Sequence, residues 1–335
     1  MYSVSDKHQT LISEWNLEMQ SFVPSWSAFC ELITDDAAAL RRWSDTPSGV
    51  MPTIDTALTN NTSITSTAKY KSVAEQTITP TAKGSGTFVH QLDTRFDSGL
   101  IDKRAESLLR SAQNTIEEGV FSFLAGGFNS LVDNANDSGG GETTSNIFSA
   151  YDPPPAAYPQ AAGFHYKTGM DEASTNAQYS TKIATALSAS GLSAAREMMR
   201  KQFTYNGVPA GFGMGNLALV VPIELEDEAI QATRSAELIT TQTSSVTAAT
   251  GATINPHSLR GYQIITSGYL SDSSDWFLVD ASTQESPVKV WVPAAGAPKL
   301  NVWQNPNGNT ELSVSFFMRV FIDAPVAGIV GSSVA

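Results

Sequence analysis

The chain has a single cysteine, Cys30, in 335 residues, so no disulfide can form within it. A lone thiol in an apolar stretch reads as a small buried hydrophobe, and reducing cytosol is the natural place for such a chain to fold. Basic residues are scarce too: 20 Lys+Arg stand against 33 Asp+Glu, a formal charge of −13. Gripping phosphate takes clustered Lys and Arg, so a surface dedicated to holding nucleic acid is excluded, while enclosing it is not. No apolar run approaches the roughly 18 residues needed to span a bilayer, and the opening MYSVSDKHQT lacks the apolar core of a signal peptide. A soluble chain made in the cytoplasm, with no membrane partner, is expected.

Histidine is nearly as rare. His8, His90, His165 and His257 lie in unrelated contexts, and no CxxC, HExxH, GxSxG or Walker loop occurs. Gly211, Gly213 and Gly215 form a glycine-rich stretch, but it precedes an apolar run, whereas a phosphate-cradling loop follows a strand. Turn chemistry explains it better. Glu224, Glu226, Asp227 and Glu228 open a helix, where the macrodipole favours negative charge. No catalytic, cofactor-binding or metal-binding residue is assigned.

What the chain does have is apolar residues in ordered patterns, 41% of the total. Residues 1–50 are rich in anchors, among them Leu11, Ile12, Trp15, Met19, Phe22, Trp26 and Phe29, at spacings of three and four interrupted at Pro24. So aromatic a segment seldom hangs in water: it covers its own domain or lies across a neighbour. Residues 64–92 favour strands, with Tyr70, Val73, Ile78 and Phe88 as their larger side chains. They form a thin two-stranded extension or an ordinary edge hairpin of a mixed sheet. Residues 101–124 are helical in period, with Leu108, Leu109, Ile116 and Val120 in the apolar stripe, and Asp97 or Ser98 is placed to cap them. Residues 127–180 are loop-like, residues 183–203 return to helix with a break at Ser190 and Gly191, and residues 217–221 suit a strand buried on both faces. Short strands follow at 262–265, 276–279 and 288–292, then a long one at 312–322.

The stretch 188–228, SASGLSAAREMMRKQFTYNGVPAGFGMGNLALVVPIELEDE, resembles a segment of the major capsid proteins of tailed bacteriophages, best matching the Mu-like major head subunits. DKRAESLLRSAQNTIEEGVFSFL, NPHSLRGYQIITSGYL, DWFLVDAS and ELSVSFFMRVFIDAPVAG are similar to further family segments in the family's order. The resemblance implies an α+β fold of the tailed-phage/herpesvirus type. Its parts would be an N-terminal arm at 1–55, an extended β-hairpin loop at 56–95 and a peripheral domain at 96–210 with the spine helix 101–124. An axial domain at 211–310, the peripheral return strand at 311–323 and an axial C-terminal segment at 324–335 complete it.

The implied function is structural: a major head protein that self-assembles into pentamers and hexamers of an icosahedral shell around double-stranded DNA, without enzymatic activity. Its partners would be copies of itself, with portal, scaffolding and decoration proteins, in a virion capsid assembled in the host bacterial cytoplasm. Intersubunit contacts would fall on Trp15, Phe22, Trp26 and Phe29 in the arm and on Tyr70, Val73, Ile78 and Phe88 in the extended loop. Leu108, Leu109, Ile116 and Val120 would form the spine-helix core against the sheet that contains Phe316, Met318 and Val320, on the face of these residues or on the alternate one, leaving Lys103, Arg104, Glu106, Arg110 and Glu117 on a polar face. Two other readings remain: an encapsulin-like bacterial compartment of the same fold, and a secreted β-rich carbohydrate-binding or hydrolytic protein.

Overall fold

The computed structural model describes residues 6–36, 40–42, 76–78, 80–96, 99–128, 181–201, 211–240, 251–281, 288–322 and 328–333. Two five-stranded sheets organise them. The first is built on β13 (Thr310–Ile322), where Leu312, Val314, Phe316, Met318 and Val320 are buried while Ser315 and Phe317 are exposed. The two-residue period of a strand turns alternate side chains to opposite faces, and this one alternates from Glu311 to Val320 before Phe321 is buried as well. Along β13 lie β4 (Thr81–Val89), β12 (Lys299–Gln304) and β11 (Val288–Trp291), all antiparallel, and β1 (Cys30–Ile33) joins β11 in parallel.

The long helix α3 (Leu100–Gly126) lies on this sheet. At 27 residues it is about 40 Å long. Its stripe of Ala105, Leu108, Leu109, Ala112, Ile116, Val120, Phe121 and Leu124 is buried, in one cluster with Phe316, Met318 and Val320. Gly99 precedes it without a side-chain cap, and Asp97 and Ser98 lie outside the described residues. The short helix α2 (Gln91–Phe96) leads in from β4.

The N-terminal helix α1 (Asp6–Ser21) and a 3-10 turn, Ser25–Ala28, pack against α3. Trp15 Nε1 donates to the Ala105 carbonyl at 3.0 Å, Phe29 meets the Phe121 ring at 6.3 Å, and Glu117 accepts from both the amide and the hydroxyl of Ser25 at 2.7 Å. Cys30 follows, its thiol held well above the ordinary value by burial and, second, by the Glu117 carboxylate. β2 (Leu40–Arg42) pairs with β3 (Gln76–Ile78).

The second sheet runs β5 (Lys182–Ile183), β14 (Ile329–Ser332), β10 (Trp276–Asp280), β6 (Leu217–Pro222), β9 (Tyr262–Ser267). Leu217, Leu219 and Val221 point into one cluster with α4 (Ala189–Arg200) and α5 (Glu226–Arg234), while Ala218 and Val220 point into the other, with α3. Both faces of β6 are therefore covered, which is why its sequence is apolar without alternation. β7 (Glu237–Thr240) and β8 (Gly251–Ile254) form a separate antiparallel pair.

One expectation is corrected. The helix expected over 183–203 is not broken at Ser190 and Gly191; it begins at Ala189, and the Ser188 side chain accepts from the Gly191 amide at 3.1 Å as its N-cap. β5 and α4 pack with the second sheet, and β11 and β12 with the first. Strand pairing overrides sequence order here.

One buried charge went unnoticed in the sequence. Lys289, within the apolar run VKVWV, is 2% exposed and pairs with Glu31 on the neighbouring strand, whose side chain is 42% exposed. Removing one partner of a fully buried pair costs roughly 3–5 kcal/mol, and partial exposure of the carboxylate reduces this, so Glu31→Gln should cost about 2–3 kcal/mol. Lys289→Met in that background should recover most of it, since an apolar side chain needs no partner. Denaturant midpoints of the three proteins test this; a Glu31→Gln midpoint equal to the parent's would mean that the pair contributes nothing.

Gly328, the residue before β14, has a φ of +73°, which suits glycine. A Cβ there would stand 2.8 Å from the Phe212 ring and 3.1 Å from Asp280 Cβ. Gly328→Ala should therefore destabilise by about 2 kcal/mol through left-handed strain and crowding. An unchanged thermal midpoint would show that the turn relaxes freely.

Candidate assembly surfaces

The arm's aromatic anchors do not face outward. Trp15, Trp26 and Phe29 are 3%, 2% and 1% exposed within their own subunit, and Phe22 packs partly buried on the same cluster. Trp15, Trp26 and Phe29 lie in one cluster with the apolar stripe of α3 in the same chain. The apolar groups this segment does leave to solvent are others, Leu17, Val23 and Leu32. Glu117, expected on a free polar face of α3, instead holds the turn at Ser25.

Of the extended-loop residues, Tyr70 and Val73 lie outside the described residues, as does the side chain of Ile78. Phe88 is 67% exposed on β4. Among the described residues that strand pairs with β13 of its own sheet, over nine residues. Residues 81–86 are exposed on both faces, and the strand is held mainly by its backbone bonds. Across the outer face, Phe88, Glu311 and Trp303 stand in register on three adjacent strands, and Phe317 is 45% exposed further along β13. The signal for this row was present in the alternation of β13, but it appears only once β4 and β12 are known to be its neighbours.

The spine residues Leu108, Leu109, Ile116 and Val120 are all buried against the first sheet. The opposite face of α3 is exposed and polar, carrying Lys103, Glu106, Arg110 and Glu118. Its charges alternate in sign, Arg110 bonding Glu106 at 2.5 Å, which is no strip for phosphate.

A polar network lies at the far side of the second sheet. His257 is 3% exposed, with Nδ1 2.8 Å from the Tyr262 hydroxyl and Nε2 3.0 Å from the Ala189 carbonyl and 2.9 Å from Ser193 Oγ. A carbonyl can only accept, so Nε2 carries the proton and Tyr262 donates to Nδ1. Burial pushes the Tyr262 hydroxyl up to about 12, so it keeps that proton. A serine beside an imidazole suggests a nucleophile and its base, but a protonated Nε2 cannot take the Ser193 proton. Nearby, Gly213 donates its amide to the buried Asp280 at 2.6 Å and Arg196 donates to the Gly213 carbonyl, so the glycine-rich stretch is a bound turn. Asp275 is raised above its ordinary value, chiefly by burial. Among the described residues no three His, Cys, Asp or Glu side chains gather as a metal ion would require, and no helix is long and apolar enough to cross a membrane.

No curated protein sequence matches the chain. In fold it is similar to the structure titled "Mycobacterium phage Patience" at 11% identity, with a TM-score of 0.50 over 98% of this chain and 87% of that one. The capsid of Ralstonia phage GP4 is similar at 10% identity, with a TM-score of 0.50 over 90% and 86% of the two chains. At such identities the likeness speaks of fold: an α+β capsid fold of the tailed-phage type. The sequence itself matches the family model described as phage capsid protein over residues 73–327. With a long helix laid on a sheet, a second sheet beyond it, and three quarters of the chain inside that match, the protein belongs to the phage capsid protein family.

Proposed function

We propose that the chain is the major head subunit of a tailed double-stranded DNA phage, closing into pentamers and hexamers of an icosahedral shell around the genome. The family match over residues 73–327 carries this reading. The acidic balance supports it, because a wall that bound phosphate tightly would hinder filling and release. Heterologous contacts repeated about an axis close into rings, and the outer row of Phe88, Trp303 and Phe317 offers apolar area for such contacts. Portal, scaffolding and decoration proteins are the further partners of this reading, the host cytoplasm is its place of assembly, and the Mu-like branch rests on residues 188–228.

Electron microscopy of the purified protein tests it. Closed shells or rings are expected, and in infected cells the shells should hold DNA. Particles filled with a cargo enzyme instead would make the protein a bacterial compartment, and dispersed monomers at every concentration would refute assembly.

A further inference from the structure

The turn at residues 255–260 has a polar interior and an apolar surface. His257 sits inside it, while Ile254, just before it, is 72% exposed and Leu259 is 82% exposed. The ring ties the turn to α4 through the Ala189 carbonyl and Ser193, and to β9 through Tyr262. Asn255 extends the tie to α5, its side-chain amide donating to the Ala232 carbonyl at 2.9 Å and its carbonyl oxygen accepting from the His257 amide at 3.0 Å.

Every one of the ring's bonds suits the neutral form. A second proton would go to Nδ1, which already accepts from Tyr262, so that bond would have to reverse. No carboxylate contacts the ring among the described residues. The charged groups around it are Arg260 on the turn, which donates to the Pro256 carbonyl, and Tyr262 on β9, which stays protonated. On α4 they are Arg196, bound to the Gly213 carbonyl, and Glu197, paired with Lys201 at 2.6 Å, and α5 ends in Arg234. The acidic groups on these helices are Glu197, already paired with Lys201, and Glu226, Asp227 and Glu228 in the first turn of α5, and none of them bonds to the ring.

We propose that His257 is an acid-sensitive latch: neutral, it ties the 255–260 turn to α4 and β9, and once protonated it releases the turn together with Ile254 and Leu259. Burial lowers the ring below its ordinary value of 6.5, against a smaller raising effect of the Ala189 carbonyl. Above pH 6.5 the ring is neutral whether the turn is closed or open. Below it the open form takes up the proton first, so closure weakens as the pH falls toward the lowered value. The latch belongs to the single subunit and stands apart from the shell reading.

Hydrogen exchange on the unassembled full chain, expressed as protection factors at about pH 7.5 and about pH 5, tests the latch. Each unit by which the ring is lowered allows up to about a tenfold loss of protection at the Asn255, His257 and Arg260 amides. That loss is expected in the parent and absent in His257→Gln. The ring's own titration, followed by NMR, should have a midpoint below 6.5, and Tyr262→Phe, which removes a donor to the neutral form, should raise it. This second variant serves if His257→Gln fails to fold. A parent midpoint at or above 6.5, no acid loss at the turn, or the same loss in His257→Gln would each overturn the proposal.

Discussion

Deletion of residues 1–35 should leave a subunit that cannot fold. The deletion removes Trp15, Trp26 and Phe29 from the core and strips β1 from the edge of the first sheet. Trp26→Ala or Phe29→Ala alone should cost about 3–5 kcal/mol, a large part of the roughly 5–15 kcal/mol that holds a typical domain together. Losing both, with Trp15 and the bond to Ala105, exceeds what the rest can supply. The unassembled subunit should lose its cooperative thermal transition and express as insoluble protein. If the truncated chain is soluble and melts where the parent does, these anchors serve a neighbour instead of their own core.

Leu109→Ala should cost about 2–5 kcal/mol, since the side chain is 4% exposed and truncation leaves a cavity between α3 and the sheet. Its neighbour supplies the control. Arg110 is 72% exposed and pairs with Glu106 one turn back, so Arg110→Ala should cost less than about 1 kcal/mol. Denaturant midpoints of the two variants as free subunits would separate them, away from any shell contact. A larger loss from Arg110→Ala would mean that the helix presents the opposite face to its sheet.

The elements that were legible in the sequence are those whose period matches their surroundings. The 3.6-residue stripe of α3 and the two-residue alternation of β13 each name a buried face, and the apolar run at 217–221 names a strand covered on both sides. What periodicity does not give is the partner. Trp15 and Phe29 are as apolar beside α3 as they would be beside another subunit, so their destination could not be read. The same holds for β4, whose thin residues fit a free hairpin and an edge strand equally. Hydropathy also misplaces residues where function or pairing outweighs it: Lys289 is inside because Glu31 faces it, and Ile254 and Leu259 are outside beside a buried histidine. His257 itself gave no motif, because its partners are a carbonyl, a tyrosine and a serine drawn from positions 189, 262 and 193.

The pairing of Glu31 with Lys289 joins residues 258 positions apart, and β14, almost the last segment described, lies between β5 and β10. Neither sheet can therefore close before its late strands have been made. The first lacks β11, β12 and β13 until late, and the second lacks an inner strand until nearly the last residue described. Long-range pairings of this kind fold slowly, and the waiting strands expose apolar surface meanwhile. Both sheets should thus close only once these late strands are free to pair, and slower translation of the residues before them should bring little early structure. Protease protection of stalled nascent chains would appear abruptly once residues 310–332 have left the ribosome, and a chaperone that shelters unpaired strands would raise the yield of competent subunits.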